Sequence, residues 1–162
     1  MKRVLAALGA ALLCASGGAA LVGPAVDQAL VESDAMPAKL SAFGLFRGND
    51  PKTPSTGIGY TLRAPLFSDY TDKHRFISIP AGKKARVGSD GVIEFPVGTV
   101  LVKSFGWSDV NDGRPVETRL LIRRASGWTA LPYIWDADGK DATLALGGRR
   151  VPVTFKSPDG EA

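Results

Sequence analysis

From Tyr60 to Phe155 the chain consists of short runs with a two-residue rhythm, and turns rich in Gly, Asp and Asn recur about every 8 to 12 residues between them. This spacing leaves no room for a crossover helix, which argues against a parallel sheet. "HRFISIP" alternates, with Phe76 and Ser78 on one side and Ile77 and Ile79 on the other. "KKARV" and "VIEFP" flank "GSDG", where the Asp90-Gly91 pair supplies the positive φ that tight hairpins need. "GTVLVKSFGW", "VETRLLIRR", "WTALPYIW" and "RRVPVTF" read as further strands. The expected fold class is all-β, an antiparallel sandwich or barrel, with a short N-terminal helical segment after a signal peptide.

That N-terminal part divides in two. Lys2 and Arg3 precede an uncharged stretch, Val4 to Gly23, rich in Ala, Leu and Gly, and small residues then allow cleavage after Ala20 or after Ala25. Residues 1–25 are therefore expected to be a signal peptide, the mature protein periplasmic, and membrane contact confined to an uncleaved signal. Residues 26–59 are expected to form a short helix and a loop. Val26, Ala29 and Leu30 have helical spacing, Pro37 limits the helix, and Leu40, Phe43, Leu45 and Phe46 are placed to dock on the body. Residues 60–162 form the β-domain.

Loss of the signal removes Cys14, the only cysteine, and with it any disulfide, thiolate nucleophile or C-x-x-C-H haem attachment. His74 is the lone histidine, so neither a zinc site of the usual kind nor, unless His74 is its base, a Ser-His-Asp triad is expected. Net charge falls from +4 to +2 when Lys2 and Arg3 leave (18 basic against 16 acidic residues), with both signs interspersed along the chain. Nucleic acid is not an expected partner. "DADGKD", Asp136 to Asp141, lacks the spacing of a calcium loop: its Gly is fourth, and the twelfth position is Gly147. No catalytic and no metal-ligating residues are assigned.

Two readings remain for the polar residues of the 116–142 region. Alternation puts Glu117, Arg119, Leu121 and Arg123 on one face, and Thr118, Leu120, Ile122 and Arg124 on the other. Lys103, Glu117 and Arg119, with Tyr133 and Trp135, are the candidate ligand-binding residues. The competing reading makes the charged ones cross-strand ion pairs on a wet face, each worth less than about 1 kcal/mol, and the aromatic ones packing.

"PLFSDYTDKHRFISIP", "FPVGTVLVKSF" and "ETRLLIRRASGWTALPYIWDADGKDA" together carry a resemblance. Over about residues 40–160 the chain resembles the N-terminal β-domain of an exported bacterial family described as c-type-cytochrome-related. "FPVGTVLVK" is also similar, more weakly, to the β-rich cytochrome P-460 domains. The family's β-domain is followed by a segment with C-x-x-C-H, whereas this sequence stops at "FKSPDGEA". The resemblance thus implies no cofactor in this chain, with haem c only in a further C-terminal segment, and a periplasmic redox protein as partner. Three functional expectations follow. The first is a non-catalytic support or docking domain of a c-type cytochrome system. The second is a small-ligand-binding or enzymatic β-domain. The third is an N-terminal fragment of a longer haem protein.

Overall fold

The computed structural model describes residues 25–50, 52–108, 110, 113–156 and 160. The expected signal peptide, apart from Ala25, lies outside the described residues, as does part of the turn between Ser108 and Arg114. Among the described residues eight strands are present: β1 (Ile58–Gly59), β2 (Asp72–Ser78), β3 (Arg86–Val87), β4 (Ile93–Glu94), β5 (Val100–Gly106), β6 (Pro115–Arg124), β7 (Gly127–Trp135) and β8 (Ala142–Leu144). Six of them form one sheet in the order β1-β2-β5-β6-β7-β8, and every neighbouring pair is antiparallel. The molecule is all-β and antiparallel, as the alternation and turn spacing require. β3 and β4 make a separate two-stranded hairpin between β2 and β5, closed at Gly91, whose φ of 79° is the left-handed value that Asp-Gly provides.

The two-residue period decides which side of the sheet each residue occupies. On β6, Thr118, Leu120, Ile122 and Arg124 are buried, while Glu117, Arg119, Leu121 and Arg123 alternate with them on the more open side. Phe76, Val100, Val102, Leu131, Tyr133, Trp135 and Ala142 join the buried set from the other strands. The layer that covers this inner face comes from the N-terminal segment. One α-helical turn, α1 (Gln28–Glu32), is capped by Asp27, whose carboxylate accepts from the Leu30 amide at 2.9 Å. A 3₁₀ turn follows at Leu40–Phe43, and Gly44 ends it with a φ of 64°. Val31, Leu40, Phe43, Leu45 and Phe46 are all buried against the sheet. Edge-to-face ring contacts lock the two layers, Phe43 on Tyr133 at 6.3 Å and Phe46 on Phe76 at 5.5 Å.

Two details differ from the sequence expectation. "RRVPVTF" is not a strand. The last strand is instead β8, and the position beside it is taken from the other end of the chain: Leu144 N–H donates to the Ala38 carbonyl at 2.9 Å, and Lys39 bridges to Thr143. With that edge filled, and with Pro152 lacking an N–H, the 149–156 stretch has no ladder to join there. It contributes Phe155, stacked on Trp107 at 5.0 Å, instead of a strand.

Candidate functional site

The five sequence candidates fall on opposite sides of the sheet. Lys103, Glu117 and Arg119 sit on the outer face, and Tyr133 and Trp135 sit on the inner one. The sheet brings the first three together and keeps the two aromatics away from them.

The inner pair is occupied with packing. Tyr133 is fully buried, and its hydroxyl donates to the Pro37 carbonyl at 2.8 Å. Burial pushes its pKa up to about 12, Arg124 opposes that rise, and Asp141 adds to it. Trp135 Nε1–H donates to Thr118 Oγ1 at 2.9 Å, and Thr118 shares a second hydrogen bond, 2.7 Å long, with Ser104. These buried polar groups therefore satisfy one another. Arg124 is also buried, and its Nη2 donates to the Ala35 carbonyl at 2.7 Å. Arg124 and Tyr133 thus hold the carbonyls of Ala35 and Pro37, two residues apart in the covering segment.

The acidic loop after β7 works the same way. Asp136 accepts from Lys39 Nζ at 2.6 Å and from Thr143 at 2.9 Å, which holds its carboxyl below the usual carboxylate range. Asp141 accepts from both the amide and the hydroxyl of Ser41, at 3.0 and 2.5 Å. Among the described residues no group of three or more His, Cys, Asp or Glu is placed to hold a metal ion.

The outer face is organised in rows by strand register. One row across β2, β5, β6 and β7 reads Arg75, Lys103, Arg119, Pro132. The next row along the strands reads Ile77, Leu101, Leu121, Ala130, and the row on the other side reads Lys73, Phe105, Glu117, Ile134. A stripe of cations therefore runs beside a stripe of aliphatic side chains. Phe105 anchors two of the cations: Lys103 Nζ lies 4.4 Å and Arg119 Cζ 4.8 Å from its ring centre. Glu117 grips Arg119 through two parallel bonds of 2.7 and 2.9 Å. The Lys103 pKa is lowered, first by desolvation and then by Arg75, Lys73 and Arg119, so the ammonium feels a crowd of like charge. Arg119 (side chain 60% exposed), Leu121 (38%) and Trp128 (44%) open onto solvent.

Sequence reasoning missed Lys73 and Arg75 as members of this face. Their alternation is visible in "DKHRF", but membership depends on pairing β2 with β5 across the intervening hairpin. Other clefts lie elsewhere among the described residues. One, of about 450 Å³, is lined by Arg114, Trp135, Asp136, Arg149 and Pro152, and one of about 240 Å³ by Lys52, Asp72, His74, Trp107 and Ser108. His74 is exposed on β2 opposite Ser104.

Compared with protein-family models, with curated proteins and with solved structures, the chain matches none.

Proposed function

We propose that this chain is an exported, non-catalytic β-domain that supports or docks a c-type cytochrome partner in the periplasm. The observation that carries the reading is the outer side of the six-stranded sheet, where cations held over Phe105 border an aliphatic stripe. Such a mixture suits contact with another macromolecule, since apolar side chains supply buried area and charges supply orientation. The candidate residues with the most chemical potential on the other side, Tyr133 and Trp135, are engaged in holding the fold. The leader-like sequence, and the resemblance to a domain that travels with haem-bearing segments, give the partner its compartment and class. On this reading the chain binds no haem itself and takes part in electron transfer by positioning another protein.

The test is chemical cross-linking of the full chain in the periplasm of its own host, followed by haem staining of the adducts. A covalent adduct that stains for haem supports the reading, together with a mature mass corresponding to cleavage after Ala20 or Ala25. Adducts that carry no haem, or turnover by the purified protein on a defined substrate, would overturn it.

A further inference from the structure

We infer that the Arg75–Lys103–Arg119 row and the adjoining Ile77–Leu101–Leu121–Ala130 row form one docking surface, and that its partner is a protein presenting an acidic patch beside an apolar one. The inference rests on the docking role just proposed and specifies which surface performs it and for what kind of partner.

The first support is an energetic anomaly. Residues directly opposite on neighbouring antiparallel strands stand about 5 Å apart, and like charges so placed destabilise a sheet. Here three cations occupy consecutive positions of one row, with Lys73 diagonal to Lys103. Among the described residues of this face, Glu117 is the one carboxylate in the row beside them. An alternating-sign row would have stabilised the sheet, so this arrangement is better suited to a partner's negative charge than to the isolated domain.

The second support is preorganisation. Phe105 is nearly buried, and Lys103 and Arg119 lie against its ring, which limits the rotamer freedom that binding would otherwise remove. Glu117 already engages Arg119 in the bidentate geometry that a carboxylate uses. It fixes that guanidinium while Arg75 and Lys103 remain to receive carboxylates from outside.

The third support is the apolar row. Ile77, Leu101, Leu121 and Ala130 lie immediately beside the cations and give a protein partner aliphatic surface to bury. A sugar-phosphate chain has little to match them. The row also lies within the sheet face, whereas a bilayer engages protruding apolar tips. Next to Arg119 an open groove of about 330 Å³, bordered by Ala130, Pro132 and Leu146, can take a partner side chain.

The deciding experiment uses the full mature chain, isotope-labelled, and two probes: a basic cytochrome c and the same protein succinylated until its net charge is negative. The acidic probe is expected to bind and shift the amide resonances of Arg75, Lys103, Arg119 and Leu121. The basic probe is expected not to bind. Reversing two charges (Arg75→Glu with Lys103→Glu) should weaken binding about tenfold or more. Reversing Lys83 and Lys84, at the β3–β4 end, should leave binding within about twofold. The milder pair Arg75→Gln with Lys103→Met guards against a folding defect, and it should weaken binding in the same direction.

Equal binding of both probes, or equal sensitivity to the Lys83 and Lys84 reversals, would overturn the assignment. So would tighter capture by phosphatidylglycerol vesicles or by an oligonucleotide through these same residues. If haem-staining adducts form in the periplasm but ignore the Arg75 and Lys103 reversals, the docking role survives and this surface is the wrong one. If the acidic probe binds here and no haem adduct forms, the surface stands and the cytochrome partner falls.

Discussion

Ionising the Tyr133 phenol would put an anion into an apolar layer between Phe43 and the sheet. The fold therefore holds that proton more tightly than the unfolded chain does, raising the pKa from 10.0 to about 12. The stabilisation is complete below the unfolded pKa, declines as pH rises past it, and is gone once pH exceeds the folded pKa. A shift of that size corresponds to a loss on the order of 2–3 kcal/mol across the window. Denaturant melts from about pH 9 to about pH 12 should show wild-type stability falling more steeply than that of Tyr133→Phe. The variant starts about 1 kcal/mol lower because the Pro37 carbonyl loses its donor. Parallel decline of the two proteins would mean that this phenol is not coupled to unfolding.

Among elements, the N-terminal strap is the one whose attachment is most concentrated. Lys39 pairs with Asp136, Ser41 with Asp141, and the Ala38 carbonyl with the Leu144 amide, so a cluster of its polar ties reaches β8 and the loop before it. Asp141→Ala removes both bonds to Ser41 and should cost about 1–2 kcal/mol. Gly44→Ala should cost at least as much, because its φ is 64° and an added Cβ would meet the Ala25 carbonyl oxygen at 2.6 Å. Hydrogen exchange at the Ser33 and Gly44 amides, bonded to Ala29 and Ser41, reports whether the strap opens separately from the sheet. In Asp141→Ala these amides should exchange faster while β5 and β6 stay protected. Uniform acceleration in all elements would show that strap and sheet open as one unit. The strap also marks the boundary of what the sequence reveals. The faces of β2, β5 and β6 were legible because alternation is a local property, and the docking residues Leu40, Phe43, Leu45 and Phe46 were visible as an apolar cluster. Illegible were the partners of "DADGKD", since Asp141 meets a serine a hundred positions earlier. The same long-range competition for the β8 edge turned "RRVPVTF" from an expected strand into a non-ladder segment.

For the whole molecule, a small net charge conceals an uneven distribution. Interspersed signs along the chain suggested a mixed surface, yet the register of three strands collects Arg75, Lys103 and Arg119 into one row. The fold bears this as internal repulsion: the Lys103 pKa is lowered first by desolvation and then by Arg75, Lys73 and Arg119, so the charged form is disfavoured in the folded state and deprotonation stabilises it. Lys103→Met keeps the aliphatic stem over Phe105 and removes the charge. It should raise stability by a few tenths of a kcal/mol at low ionic strength, after losing a cation–π contact of comparable size. Salt separates repulsion from simple apolar gain. Between about 20 mM and about 500 mM the Debye length shrinks several-fold, so the advantage of the variant should narrow as wild type is stabilised by screening. A variant less stable than wild type at low salt, with a gap indifferent to salt, would show that the cations are not in tension. Then the row would be an ordinary solvated surface, without the stability cost that distinguishes it as a surface for an acidic partner.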